Sequence, residues 1–311
     1  MRSSAASGGG SLRVICGPTA AGKSALALQL AEQFGATIVS ADSRQVYRRF
    51  DIGTAKPDRA SRERVPHMGV DVAEPDERYS AARWAREAGE WLEACERSRQ
   101  PAVVVGGTGF YIRALTDPLF DSPALDVDHR AAIERELDDL GTEELRARCD
   151  SVDPARAHLG RAQLIRALVI VTLTGTPISE WYGRSPHGPA VRGRYLVVDP
   201  GARLTGRIEE RVRGMIDAGW PDEVRALQHT VAPDAPAWNA TGYATVRDYV
   251  RGDTALDDAQ RRIVIATRQY AKRQRTWFRH QLPADRVTQL DPLAPDAWSR
   301  AEAWWMESED R

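Results

Sequence analysis

The chain has 311 residues, 42% hydrophobic and 28% charged, and 43 Lys and Arg against 44 Asp and Glu leave a formal net charge of −1 at pH 7. That length holds one large domain or a core with a second lobe, and the near-zero charge excludes a generally basic nucleic-acid binder while leaving room for a local patch. No segment approaches the about twenty apolar residues of a membrane span, and three separated cysteines, Cys16, Cys95 and Cys149, make neither a zinc pattern nor a disulfide framework, which fits a reducing cytoplasm.

Residues 1–10, MRSSAASGGG, lack the apolar run of a signal peptide and read as a flexible tail. The run LRVICG then predicts a buried strand, followed by a glycine-rich turn and an amphipathic helix from Ser24 to Phe34. ATIVSA, AVVVGG and RYLVVD predict three more strands of the same continuous apolar kind, typical of a parallel sheet covered on both faces. A second helix is expected from Ser80 to Glu96. The expected fold is therefore α/β: a P-loop core whose parallel sheet is flanked by helices, plus an inserted small helical domain. The core is assigned to residues 11–125 and 190–285, the helical lobe to 126–189, and an acidic tail to 286–311. No internal repeat is visible.

The turn reads GPTAAGKS. Gly17 and Pro18 shape it, and the amides of Thr19, Ala20, Ala21 and Gly22 can face phosphate oxygens, aided by the field at the helix start. Lys23 supplies a compact positive charge, and Ser24 can offer its hydroxyl to magnesium. The alternative, an ordinary glycine turn, leaves the lysine–serine pair unexplained. A kinase or nucleotide hydrolase would place a metal-organising aspartate after a later strand. Here that strand ends in Gly106, Gly107 and Thr108, which lowers the case for nucleotide hydrolysis.

After the second predicted strand, Asp42 and Ser43 should reach the phosphate crevice. Asp42 can accept a proton from a nucleophile, organise magnesium through water, or merely cap a helix. Asp51, Thr54 and Lys56 are candidates for ordering the next loop. In the last long helical pattern, Arg268, Lys272, Arg275 and Arg279 recur at intervals of three and four, one positive stripe that suits RNA phosphates or a solvated face. Tyr270 and Trp277 are expected to form a packing stripe on another side. His67 reads equally as a site contact or a loop histidine.

Together, GPTAAGKS, SADSRQVYRRFDIGTAKP, VGGTGFYIRAL, NATGYATVRDYV and ATRQYAKRQRTWFR, in that order, resemble the bacterial-type tRNA dimethylallyltransferase (tRNA isopentenyltransferase) family from about Val14 to Arg279. The resemblance implies transfer of a dimethylallyl group from dimethylallyl diphosphate to N6 of the adenosine 3′ to the anticodon. It implies the turn as diphosphate site, Asp42 as general base, Thr108 near the leaving oxygen, Arg207 on the diphosphate and Mg2+ as cofactor. It also implies contact with the tRNA anticodon stem-loop by Asp42, Ser43, Arg44, Gln45, Gln163, Arg166, Gly242, Tyr243, Arg268, Lys272 and Arg275. A monomer is the simpler assembly.

The sequence departs from the family at PHMGVD, which keeps His67 and Asp71 but has one histidine fewer. In AQLIRALVI, Gln163 replaces an arginine and Val169 a glutamate. Ala244 stands where a basic residue is usual, and TDPLF replaces a glycine–leucine turn. An adenylate isopentenyltransferase and a silent RNA-binding relative are the competing readings.

Overall fold

The computed structural model describes residues 11–116, 127–184 and 191–307. In chain order, the first part contains β1 (Leu12–Cys16), α1 (Lys23–Phe34), β2 (Thr37–Ser40), α2 (Arg59–Arg64), β3 (His67–Met68), α3 (Ala81–Arg97), β4 (Ala102–Gly106) and α4 (Gly109–Thr116). Four helices follow: α5 (Val127–Asp138), α6 (Thr142–Val152), α7 (Arg161–Thr174) and α8 (Ile178–Arg184). The chain then forms β5 (Gly193–Val198), α9 (Leu204–Asp217), α10 (Trp220–Leu227), α11 (Tyr243–Arg251), α12 (Leu256–Gln281), β6 (Val287–Leu290) and α13 (Ala297–Met306). Residues 1–116 with 190–311 make one compact unit and 117–189 another.

The sheet order is β3-β2-β4-β1-β5-β6, every pair parallel. Val14, Ile15, Val39, Val103, Val104 and Leu196 are fully buried, which is why these strands lack polar alternation. Each such side chain removed from water contributes about 1.5–3 kcal/mol. The chain leaves β1 for β2 and returns to β4 between them, so the order reverses beside β1. Open α/β sheets bind ligands at that crevice, beyond the carboxyl ends of the strands. Here the crevice receives the turn after β1 and Gly106–Thr108 after β4. Packing from α3 fixes its flank, since the buried Trp84 indole donates to the Ser40 carbonyl at 2.9 Å and stacks on Tyr111.

The expected P-loop α/β architecture is present, with two corrections. The four expected strands are joined by the two-residue β3 and by β6. The expected tail over 286–311 instead contributes β6, in register with β5 from Tyr195↔Val287 to Val198↔Leu290, and α13. Ala301, Trp304 and Trp305 of α13 are buried, and Trp305 stacks on Phe34 at 5.1 Å. Apolar residues spaced along AWSRAEAWWM carried this signal; the acidic residues that end the chain masked it. The N-terminal tail at 1–10 and the TDPLF segment beyond Thr116 lie outside the described residues.

The 117–189 unit packs α5, α6 and α7 around Leu137, Leu145, Cys149, Leu164, Leu168 and Ile170. Val169 belongs to this core at 2% exposure, so the valine at that departure from the family pattern fills an apolar interior.

Candidate active site

The turn after β1 demands its glycines. Gly17 has φ of 139°, and a Cβ there would stand 2.2 Å from the Val198 carbonyl oxygen. Gly22, at φ 100°, begins α1 in the left-handed region. Lys23 Nζ donates to the Pro18 carbonyl at 2.7 Å, closing the turn on itself. Gly106 is equally constrained, because a Cβ would lie 2.1 Å from Ala41 O and force the β2 and β4 ends apart.

Asp42 follows β2 directly. Its Oδ1 accepts the amides of Arg44 at 2.8 Å and Gln45 at 3.4 Å, so the capping alternative is realised by one oxygen. Among the described residues Oδ2 has no such bond, and Asp42 lines the main cavity. Capping and proton acceptance are thus compatible in one side chain. Thr108 Oγ1 accepts the Ser43 amide at 3.0 Å, which ties the β4 turn to the Asp42 segment.

The main cavity has a volume of about 490 Å³, within the range of small-molecule sites. The turn supplies Thr19, Gly22, Lys23 and Ser24, β4 supplies Gly106 and Gly107, α9 supplies Arg207, Glu210 and Arg211, and α12 supplies Tyr270 and Gln274. Arg207 Nε donates to Ala20 O at 2.9 Å, fixing the guanidinium beside the turn. A smaller cavity of about 70 Å³ shares Thr19, Asp42, Arg211 and Tyr270 with the first and continues among Val212, Met215, Trp220 and Ile263.

Burial, then the neighbouring Arg211 charge, lowers the Lys23 pKa to about 8. Arg211 is itself lowered by burial, against the pull of Asp42. Burial and the Asp42 charge push the Tyr270 phenol up to about 12. Cys16, under the turn, is pushed up to about 12 by burial and is no nucleophile.

Sequence reasoning missed Arg211, Tyr270 and Gln274. The buried Gln274 side chain accepts the Thr19 amide at 2.8 Å and donates to Gly107 O at 2.8 Å, so one α12 residue joins both glycine turns. Tyr270 faces the two cavities instead of a separate packing stripe, and Trp277 packs on Gly109. The spacing 270, 274, 277, 278 marks one helix face; what that face meets was the missing information.

Other expected contacts stand elsewhere. Tyr243 is fully buried and donates to Glu223 Oε1 at 2.6 Å, while a Cβ on Gly242 would strike Trp220; burial removes this pair from any accessible RNA surface. Arg275 binds Asp199 through Nε at 2.8 Å and Gly201 O at 2.6 Å, so the stripe's third member braces the β5 end. Arg268, Lys272 and Arg279 are exposed along α12. Arg44 borders the small cavity, and Gln45 borders the main one while donating to Ala55 O at 3.0 Å. In the helical unit, Gln163 accepts the Gly160 amide at 3.1 Å and Arg166 is exposed. Lys56 is buried with Asp51 and Asp71 as partners, which orders its loop and cancels the positive potential expected of it. His67 bonds Val65 O at 2.8 Å on the edge strand, and burial lowers its pKa.

The model of the IPP transferase family matches residues 45–281, and that of isopentenyl transferase matches residues 10–67. A tRNA dimethylallyltransferase of Halorhodospira halophila is 44% identical over 289 residues, covering 90% of this chain and 93% of that protein. The crystal structure of the full-length tRNA isopentenylpyrophosphate transferase of Bacillus halodurans is similar at TM-score 0.65 and 30% identity, covering 94% and 93% of the two chains. A eukaryotic dimethylallyltransferase captured acting on tRNA is similar at TM-score 0.78 and 26% identity, covering 94% of this chain and 76% of that one. With a phosphate turn, an aspartate and a threonine gathered at one crevice and relatives matched along nearly the whole chain, this protein belongs to the IPP transferase family of bacterial-type tRNA dimethylallyltransferases.

Proposed function

We propose that the chain transfers a dimethylallyl group from dimethylallyl diphosphate to N6 of the adenosine 3′ to the anticodon in tRNA, releasing diphosphate. The observation that carries this reading is Asp42 at the junction of a phosphate-lined cavity and a second, largely apolar one. A carboxylate there meets a nucleophile approaching a carbon whose leaving group is held by the turn.

In this mechanism the amides of Thr19 to Gly22, with Lys23 and Arg207, bind the diphosphate and stabilise the charge it gains as carbon–oxygen cleavage proceeds. Thr108 approaches the leaving oxygen. Asp42 takes the N6 proton as the nitrogen–carbon bond forms. The acceptor adenine leaves its stack to reach the crevice, where Ser43, Arg44 and Gln45 are the nearest side chains to steady it. Exposed Arg268 and Lys272 on α12, with Arg166 and Gln163 of the helical unit, are the residues offered to the anticodon stem-loop.

Magnesium fits the donor set: Ser24 lines the main cavity, and a magnesium ion takes most of its oxygen ligands from substrate phosphate and water, with few from protein. When bound, the ion neutralises diphosphate charge. No group of three or more His, Cys, Asp or Glu suited to a metal occurs among the described residues, so Ser24 and the substrate would hold it. No helix among the described residues is long and apolar enough to cross a membrane. The three free, buried cysteines suit a reducing cytoplasm, and the enzyme is taken to act as a monomer.

The test is incubation with magnesium, dimethylallyl diphosphate and unmodified tRNA, read by nucleoside mass spectrometry, with AMP and ATP as parallel acceptors. Prenylated adenosine in tRNA, lost in Asp42→Ala, is expected. Product on the free nucleotides alone would overturn the tRNA reading.

A further inference from the structure

Arg211 stands out among the charged groups of the catalytic unit. It lies one turn beyond Arg207 on the same face of α9, yet the two are held differently. Arg207 is tethered to the Ala20 carbonyl. Arg211 makes no hydrogen bond among the described residues, and no described carboxylate comes within ion-pair distance. It is buried deeply enough for desolvation to oppose its charge, and it is close enough to Lys23 for each cation to disfavour the other. An arginine kept charged in such a place without a partner is costly. The cost is recovered when an anion enters.

Position identifies the anion. Four residues border both cavities: Thr19, Asp42, Arg211 and Tyr270. The turn holds diphosphate on one side of that junction, and Asp42 receives the proton there. The bond changes therefore occur where Arg211 stands.

We propose that Arg211 is a further catalytic residue, whose guanidinium binds the departing diphosphate at the oxygen released from carbon, from the α9 wall of the cavity. In the balanced step the N6–carbon bond forms as the carbon–oxygen bond breaks. The bonding pair stays on the diphosphate oxygen against Arg211, and the N6 proton passes to Asp42. This rests on the transfer reaction proposed above. Arg207 anchors the diphosphate next to the turn; Arg211 meets the charge that grows only during cleavage, so it acts on rate more than on donor affinity.

The test uses the full-length protein and its R211Q, R211K and R211A variants. Single-turnover transfer to unmodified tRNA is measured alongside calorimetric binding of magnesium pyrophosphate, with D42N as comparator. R211Q is expected to lose about 100- to 1000-fold in rate, the usual effect of removing one donor to a developing oxyanion, with the KM for tRNA unchanged. R211Q should bind pyrophosphate more weakly than wild type, whereas D42N should retain its affinity. R211K should recover part of the rate, and millimolar methylguanidine should recover part of that of R211A, which a purely structural arginine would not permit. Folded R211Q and R211K with wild-type rate and pyrophosphate affinity would overturn the proposal, as would R211A left inert to methylguanidine. If R211Q fails to fold, R211K and the rescue decide. Should wild type bind pyrophosphate but prenylate no tRNA, the transfer reading fails, and the pyrophosphate arm still judges the contact.

Discussion

In the 117–189 unit, the interior is aliphatic: Leu145 and Leu164 are fully buried, with Leu168, Val169 and Ile170 beside them. In the sheet-bearing unit the residues nearest the crevice are buried and polar. Gln274 is 6% exposed and bridges two turns, Thr54 bonds the Phe50 carbonyl, and the Lys56 side chain is held among Tyr47 O, Asp51 and Asp71. The difference follows from what each interior positions. Helices satisfy their own backbone, so side chains between them need only pack. Turns at strand ends leave amides and carbonyls exposed, and a site built from them needs side chains that bond those groups in fixed directions. The helical unit should therefore tolerate polar loss and resent cavities, whereas the crevice should respond in binding as well as stability.

The largest effect is expected from Asp42→Asn. Asparagine can still accept the Arg44 and Gln45 amides, so folding and pyrophosphate binding should persist while single-turnover transfer falls by about 100- to 10,000-fold. A variant that also melts early would show Asp42 to be structural first, and would erase the contrast with the helical interior.

Leu164→Ala should cost about 2–5 kcal/mol of stability through its cavity. Hydrogen exchange should quicken in α5–α7, while calorimetric pyrophosphate affinity stays at the wild-type value. Any loss of affinity would couple the two units in a way that their separate cores do not require.

Gln274→Leu preserves bulk but strands the Thr19 amide and the Gly107 carbonyl, at a cost of about 1–3 kcal/mol. Unlike Leu164→Ala, it should also weaken pyrophosphate binding, because Thr19 belongs to the phosphate turn. Thermal unfolding and calorimetry on the same sample separate the two outcomes.

The smallest effect concerns pH. With Lys23 at about 8 in the folded protein against an ordinary 10.5, donor kcat/KM for the free enzyme should fall as pH rises past about 8 and the ammonium is lost. Stability should move the other way. Between those two values the unfolded chain holds more protons than the folded one, so unfolding free energy rises with pH across that window. Lys23→Met should abolish both slopes, checked by pH–rate profiles and denaturant titrations.

Much of the crevice was legible before any tertiary information. Gly17 to Ser24, Asp42 and Gly106 to Thr108 each follow a continuous apolar strand, and parallel strands deliver their carboxyl ends to one side of a sheet. The stripe on α12 was legible only as a periodicity. Arg268, Lys272 and Arg279 do face outward, but Arg275 turned out to brace Asp199, which the intervals alone cannot distinguish. Tyr243 was assigned to RNA and is instead enclosed by Trp220, Trp238 and Phe50. The segment after residue 286 was misread because a four-residue edge strand carries too few positions for its pattern to stand out.

What the sequence determined by itself is what neighbouring residues settle among themselves. Lys23 closes on Pro18 and Asp42 on Arg44, and glycines stand where positive φ or a passing carbonyl excludes a side chain. The tertiary structure decided which distant residues complete that turn. Gln274 lies 255 residues from the amide it accepts, and Arg207 lies 187 from the carbonyl it holds. Helical periodicity says which residues share a face, but packing alone says what the face will meet. For α9 and α12, that partner is the phosphate crevice.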